Sequence, residues 1–171
     1  EDNQGEGEDE EGDELGGSAG EDGDQKGGGE YIEDLSRIVV QVLTLHCIPN
    51  FVRPWEKGHD VDSSSTAFVV DAERRLLMTT AGAVEYAKRI EVSRDGVDYD
   101  AAVVAVSTDT DVALLTVKDG AFWRGMHSLG FGPLPQLQSP VTALAYAIGG
   151  DSVAVTTGVV SRIEVLEYTH S

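Results

Sequence analysis

The sequence predicts an all-β protein, built as a barrel or a sandwich, and two observations lead to this prediction. Short runs rich in Val, Ile and Leu recur from residue 37 onward. Turn residues such as Pro, Gly, Asn and Asp separate these runs at close intervals, which is typical of all-β domains. Helical candidates are limited to short turns near 81–87 and 121–126.

The first predicted strand and the loop after it are defined by their composition. Residues 37–47 read RIVVQVLTLHC and stop at Pro49-Asn50, which predicts a buried strand followed by a turn. Residues 51–65 contain Pro54, Gly58 and a polar cluster, so we predict a loop over this stretch.

The remaining strands are shorter and are separated by turn signals. They are predicted at 66–70, 75–79, 89–93, 99–106, 112–117, 141–148 and 153–165. The first two of these form a hairpin across Asp71-Ala72-Glu73, and the Pro-rich and Gly-rich residues 130–140 precede the last two. Because two strands alone make at best a marginal hairpin, the last pair is expected to begin a second unit.

The charge is concentrated at the start of the chain. The protein has 31 Asp or Glu and 12 Lys or Arg, and residues 1–34 hold fifteen of the acidic residues with Lys26 alone, a net charge of −14. This Gly-rich segment has too little apolar surface to offset its ordering entropy, so we predict disorder over 1–34. The acidity argues against nucleic acid as a partner. Binding or chaperoning of basic proteins by this segment is one alternative function.

The sequence predicts neither a metal site nor a cofactor. Cys47 is the single cysteine, which excludes an internal disulfide, and no Cys and His spacing resembles a zinc site. No apolar run approaches the roughly 18 residues that a membrane-spanning helix needs. We therefore expect no membrane span.

Five segments, in order along the chain, resemble the Deg/HtrA (protease Do-like) family of trypsin-like serine proteases, in particular its plant Deg branch. They read RIVVQVLTLHCIPNFVRPW, TAFVV with LLMTTAGAV, DTDVALLTV, FWRGMHSLGFGPLPQLQ, and YAIGGDSVAVTTGVVSRIEVLEYTH. The resemblance implies an all-β, trypsin-like double β-barrel with its active site between the barrels. It places the first barrel at 35–128, and the connection and first hairpin of a second barrel at 129–171.

The resemblance also assigns positions to the catalytic residues. Such an enzyme needs a Ser nucleophile, a His that takes its proton and a carboxylate that orients the His. Gly82 stands at the His position, Asp111 stands at the carboxylate position, and the Ser segment would follow Ser171. Asp111 is thus the remnant of a triad, although an Asp at a strand start also commonly caps the preceding turn.

Several other residues could have a functional role, but a structural explanation is simpler for most of them. We interpret His46 as a half-buried strand residue and the serines at 63–65 as part of a polar loop, because a Ser is a poor nucleophile without a base. Phe122-Trp123 is expected to pack beneath the connection between the barrels. Trp55 either packs on the barrel or, as the resemblance implies, contributes to trimer contacts.

The sequence therefore predicts a serine endopeptidase homologue that is catalytically inactive, a truncated pseudoprotease. One alternative is a fragment of a longer Deg-type protease or pseudoprotease that binds unfolded peptides. The resemblance implies unfolded or peptide substrates and a homo-trimer, or a hetero-trimer with full-length relatives. For the compartment it favours the nucleus, with chloroplast and mitochondrion as alternatives.

Overall fold

The computed structural model describes residues 34–165, which form eight β-strands. The segment predicted to be disordered, 1–34, lies outside the described residues except for Asp34. The strands are β1 (Val39–Cys47), β2 (Asp60–Asp71), β3 (Leu76–Thr79), β4 (Ala87–Arg94), β5 (Val97–Ser107), β6 (Val112–Val117), β7 (Pro140–Tyr146) and β8 (Val153–Val159). The stretches near 81–87 and 121–126 form turns.

The first six strands close into an antiparallel barrel in the order β1-β2-β3-β6-β5-β4. The barrel closes because β1 pairs with β4 as well as with β2, and β3 pairs with β6. The last two strands, β7 and β8, form a separate two-stranded sheet. The all-β fold class and a six-stranded first barrel are thus as predicted.

The barrel core follows from the alternation of side chains along each strand. In β6, Ala113, Leu115 and Val117 are buried while the residues between them are half-buried. Val40 and Val42 of β1 are 1% and 0% exposed. Successive strand residues point to opposite faces, so these small branched side chains fill the barrel interior.

Phe122 and Trp123 complete this core from the turn after β6. Phe122 is fully buried, and its ring lies 4.9 Å from that of Trp123 and 5.2 Å from that of Tyr99 in edge-to-face geometry. The Trp123 indole N–H donates to the carbonyl of Val117 at 2.8 Å. Both rings belong to the core of the first barrel, and Leu129 at the start of the connection packs against that core.

Two predicted strand boundaries are wrong by six residues, whereas the others differ from the observed ones by at most two. Residues 60–65, predicted to be loop, form the first half of β2, which pairs with β1 from Val39↔Phe68 to Cys47↔Asp60. The ladder hydrogen bonds impose the extended conformation on a polar sequence that has little strand propensity of its own. The last strand ends at Val159 instead of residue 165, because its pairing with β7 ends at Pro140↔Val159.

The β7–β8 hairpin is attached to the barrel by side chains of β1 and β2. The Gln41 amide nitrogen donates to the carbonyl of Gly150 and to the hydroxyl of Ser64, both at 2.8 Å. The backbone N–H of Tyr146 donates to the Thr66 hydroxyl at 2.9 Å. Burial raises the pKa of the Tyr146 phenol, and Asp95 adds to that effect. These contacts position the hairpin against the outer face of β1 and β2.

Candidate functional site

The turn that follows β3 carries Gly82, the first of the two predicted site positions. The turn is held by backbone hydrogen bonds from Ala83 to Thr80 at 3.2 Å and from Val84 to Ala81 at 3.0 Å. Ala83 and Val84 are buried in the core and anchor the turn, whereas Gly82 is exposed. The turn thus presents position 82 to solvent on a fixed backbone.

Asp111 lies directly before β6, at the end of a turn closed by its own N–H and the carbonyl of Thr108. Its φ of 51° falls in the left-handed region, which Asp tolerates better than most residues. One carboxylate oxygen of Asp111 accepts a hydrogen bond from the backbone N–H of Gly82 at 3.3 Å. The pairing Thr79↔Ala113 between β3 and β6 brings these two residues together.

The space at position 82 is open. A Cβ built on Gly82 would meet no atom within 4 Å, and its φ lies outside the left-handed region. Gly82 and Asp111 border a cavity of about 280 Å³, whose other lining residues are Ala81, Val84, Glu85, Val106 and Thr108. A larger side chain at position 82 would therefore fit beside the carboxylate of Asp111.

The chemistry of this cavity is limited by its lining. It offers the carboxylates of Asp111 and Glu85 and the hydroxyl of Thr108, but no imidazole. An orienting carboxylate acts in acyl transfer by holding a base in the correct tautomer and orientation. Here the group that donates to that carboxylate is the backbone N–H of Gly82, which cannot take a proton from a nucleophile.

The structure also brings together two residues that the sequence interpretation had separated. His46 on β1 is half-buried as expected, but its Nε2 lies 2.6 Å from the hydroxyl of Ser63 and its Nδ1 lies 2.6 Å from the carbonyl of Glu85. Ser63 lies on β2 and not in a loop. Strand alternation extended back from 66–70 to residue 60 would have placed Ser63 in a strand, but the contact itself depends on the register of β2 with β1, which is distant in sequence.

The segment after β1 presents a group of exposed apolar side chains. Phe51, Val52 and Trp55 are 76%, 86% and 80% exposed, so the alternative that Trp55 packs on the barrel is wrong. The side-chain oxygen of Asn50 accepts hydrogen bonds from the N–H groups of residues 52 and 53, both at 3.1 Å. Arg53 and Glu56 form an ion pair at 3.0 Å. We call residues 50–56 the apolar turn.

No group of His, Cys, Asp and Glu among residues 34–165 is arranged to hold a metal ion. Within the same residues, no helix is long and apolar enough to cross a membrane.

A family profile described as a trypsin-like peptidase domain matches residues 65–170, which is more than half of the chain. The chain belongs to the trypsin-like peptidase family. The matched region includes both Gly82 and Asp111, so the family covers the candidate site as well as the fold.

Among its curated relatives are Do-like proteases of plants. Protease Do-like 2, chloroplastic, from Arabidopsis thaliana is 40% identical over 151 residues, which are 86% of this chain and 24% of the relative. Putative protease Do-like 3, mitochondrial, from the same plant is 33% identical over 135 residues, 78% of this chain and 24% of the relative. The chain thus spans about a quarter of the length of these relatives. The Deg/HtrA resemblance is confirmed.

Solved structures agree on the fold. The active form of the Rv3671c protease from M. tuberculosis superimposes with a TM-score of 0.58 at 23% identity, covering 74% of this chain and 48% of that chain. The HtrA-type protease AlgW with a decapeptide gives a TM-score of 0.60 at 18% identity, covering 78% of this chain and 45% of that chain. These similarities establish a trypsin-like barrel fold of the HtrA type.

Proposed function

We propose that this chain is a catalytically inactive Deg-type protease homologue that binds unfolded polypeptides without cleaving them. The observation that carries the proposal is the hydrogen bond from the Gly82 N–H to the Asp111 carboxylate. The contact joins the backbone of position 82, at which the resemblance expects the catalytic His, to the carboxylate that would orient that His. The carboxylate is present, and the base that it would orient is missing.

The size of the expected defect follows from the chemistry of the triad. Removal of a triad member in a serine protease costs roughly 10⁴-fold or more in kcat. The residual rate in such cases comes from oxyanion stabilisation and substrate binding, neither of which needs the His. A homologue with Gly82 is therefore expected to keep polypeptide binding and to lose turnover.

Binding of extended polypeptides is supported by the open site and by a structural neighbour. The solved AlgW structure holds a decapeptide. In this chain the cavity beside Gly82 has about 280 Å³ of free space with two carboxylates in its lining. We infer that the site receives a side chain of a bound polypeptide, with preference for a polar or basic one.

Assembly into trimers is the second part of the proposal, and the apolar turn supports it. Three large apolar side chains that are more than 70% exposed are unusual on a monomer surface unless they bind a partner. Because Asn50 and the Arg53–Glu56 pair fix the turn, little conformational entropy is lost when these side chains are covered. We propose that Trp55 and Phe51 are the anchors of this contact.

The proposed compartment is a plant organelle. The relatives named above are described as chloroplastic and mitochondrial, and their names give no support to the nucleus that the resemblance favours. Fractionation of tissue that expresses the chain, followed by detection with an antibody to the barrel, tests this assignment.

Reduced, unfolded casein with a fluorescent label tests the main proposal. We expect its anisotropy to rise on addition of the 171-residue chain while the casein band stays intact on a gel over many hours. Cleavage that is lost in an Asp111→Asn variant would refute inactivity, because it would show that Asp111 still supports a triad. Unchanged anisotropy at the highest soluble concentration would refute polypeptide binding.

A further inference from the structure

Strand β5 has a neighbour on both sides only over its first part. It pairs with β4 from Glu91↔Asp100 to Arg94↔Val97, next to the turn that joins the two strands. Residues 101–107 continue β5, and within the described residues their strand partner is β6 alone. One row of backbone N–H and C=O groups along 101–107 therefore lacks a strand partner, and such an edge can accept a further strand.

The side chains of this stretch are unusually exposed for a strand of a closed barrel. All six residues of 102–107 are exposed. Val103 and Val106 are 43% and 48% exposed, although they lie opposite Leu115 and Ala113 of β6, which are buried in the core. Residues directly opposite each other share a face of the sheet, so both valines point inward. They are exposed because β4 does not extend alongside this part of β5.

Apart from one β-bulge, the usual protection of an exposed edge is absent from 101–107. The stretch reads AAVVAVS and contains no Pro, Lys or Glu, the residues that commonly prevent a further strand from adding. The bulge lies at Val104, where the register with β6 shifts between Val103 and Ala105. It bends the strand, but the residues on either side of it stay extended. Each side can therefore form a short ladder with a bound strand.

Carboxylates flank this apolar stretch at both ends. Asp98 and Asp100 precede it, Asp109 and Asp111 follow it, and all four are exposed. Among the described residues, Arg89 is the only cation that pairs with any of them, at 3.7 Å from Asp100. The edge therefore lies between two negatively charged ends.

This charge pattern distinguishes between two possible occupants of the edge. A second copy of β5 that paired antiparallel about Val104 would bring Asp98 and Asp100 of one chain close to Asp109 and Asp111 of the other. Like charges across paired strands are destabilising. An extended polypeptide whose apolar stretch lies between Lys or Arg residues meets an opposite charge at each end instead.

We propose that the open edge of β5 at residues 101–107 binds the main chain of an extended polypeptide that carries small or β-branched residues between Lys or Arg residues. This inference rests on the polypeptide binding proposed above and adds the strand that holds the main chain. The edge reaches the cavity at Gly82, because Val106 borders that cavity as well. A basic side chain that follows the apolar stretch meets the carboxylates of Asp111 and Glu85 there.

The synthetic peptide acetyl-KKTVTVTVTKK-amide tests the proposal. We expect it to bind the 171-residue chain and to slow amide hydrogen exchange within residues 101–107, as measured by NMR. The same peptide with Glu in place of every Lys is the charge control, and it should bind at least about tenfold more weakly. Protection confined to β7 and β8, or no protection of 101–107 at any soluble peptide concentration, would overturn the proposal.

Backbone methylation of the peptide separates main-chain pairing from apolar contact. Amide N–H groups of alternate residues in a strand point to opposite edges. Of two peptides, one N-methylated at its valines and the other at its threonines, only one should therefore lose affinity, by about tenfold or more. Equal affinities of the two methylated peptides would overturn the proposal.

Two variants of the protein place the same charge at different positions of β5. Val104 lies on the open edge and Val97 lies where β4 pairs with β5, and the two side chains are similarly exposed, at 52% and 50%. We expect Val104→Lys to raise the Kd of the peptide about tenfold and Val97→Lys to change it less than about twofold. Circular dichroism establishes that each variant is folded. If Val104→Lys is not folded, the two methylated peptides decide the result.

Labelled casein separates this inference from the proposed function. If casein binds equally to the wild-type chain and to folded Val104→Lys, polypeptide binding stands and the β5 edge is refuted as its site. If casein does not bind the wild-type chain, the proposed function is refuted, whereas protection of 101–107 by the peptide still decides whether this edge accepts a strand.

Discussion

The backbone N–H of Gly82 donates a hydrogen bond to the carboxylate of Asp111 at 3.3 Å, across the ends of β3 and β6. Position 82 itself has open space on its side-chain face. Because the carboxylate is present and the space beside position 82 is open, one substitution is enough to place an imidazole next to a carboxylate in this barrel.

A Gly82→His variant is therefore expected to fold and to show a raised imidazole pKa. A carboxylate within about 4–6 Å stabilises the charged imidazolium, so the pKa should lie above its ordinary value of about 6.5. Titration by NMR measures it. The control is Gly82→His combined with Asp111→Asn, in which the pKa should fall back. Equal pKa values in the two variants would show that the new side chain does not contact Asp111.

Filling the same cavity should weaken polypeptide binding. Gly82→Phe places a ring in the space that we assign to a bound side chain, and we expect the Kd for unfolded casein to rise about tenfold, or ~1.4 kcal/mol. Gly132→Phe is the matched control, because a Cβ there also meets no atom within 4 Å and it lies in the connection before β7. Equal Kd values for the two variants would show that the cavity is not part of the binding site.

Gln41→Ala should weaken the attachment of the β7–β8 hairpin to the barrel. The side chain is 8% exposed and donates to Gly150 and Ser64, so its removal leaves the partly buried carbonyl of Gly150 with one fewer donor. We expect a loss of about 1–3 kcal/mol in the free energy of unfolding. Amide hydrogen exchange should accelerate in β7 and β8 before it does in the barrel. The exposed Gln136→Ala is the control and should change neither quantity.

Trp55→Ser should lower the oligomeric state without destabilising the barrel. Trp55 is 80% exposed, so its loss costs little within one molecule but removes a large apolar surface from the proposed contact. Light scattering after size exclusion measures the mass. Phe131→Ser removes a similarly exposed aromatic, at 77%, from the segment between β6 and β7, and it should leave the mass unchanged. A monomeric wild-type chain would rule out the trimer.

The ion pair between Asp60 and Lys88 should make a small pH-dependent contribution to stability. The Lys88 ammonium lies 2.8 Å from both carboxylate oxygens, and this hydrogen bond lowers the pKa of Asp60 and raises that of Lys88. Because the pKa of Asp60 is lowered on folding, the stabilisation is present above the ordinary pKa of Asp and is lost as the pH falls through the lowered one.

Urea unfolding measures this contribution. Asp60→Asn should have a slightly lower midpoint than the wild-type chain at neutral pH and the same midpoint well below pH ~4. Asp98→Asn is the control, since Asp98 lies on β5 and has no ion pair among the described residues. If the urea midpoints still differ in acid, the effect does not arise from the charge of Asp60.

The sequence was sufficient for the parts of the fold that local pattern determines. Strand β6 was predicted with its observed bounds, because its residues alternate and turns flank it. Residues 60–65 were mispredicted, because the hydrogen bonds that make them a strand come from β1, which is distant in sequence. The positions of Gly82 and Asp111 came from the resemblance, and their contact depends on the pairing of β3 with β6. The contact of His46 with Ser63 was missed for the same reason as the first half of β2.

Closure of the barrel also determines where an extended polypeptide can add to this chain as a strand. Each of the first six strands has a neighbour on both sides, but β3 pairs with β2 only from residue 68 to 71, and β4 pairs with β5 only from residue 97 to 100. Residues 60–67 of β2 and 101–107 of β5 therefore have one edge without a strand partner, as β7 and β8 do. Recognition through main-chain hydrogen bonds is thus open to the hairpin and to these two stretches, whereas the turn at Gly82 can contribute only side chains and single backbone groups. Affinity that is insensitive to ligand sequence should map to these edges, and selectivity to the turn at Gly82.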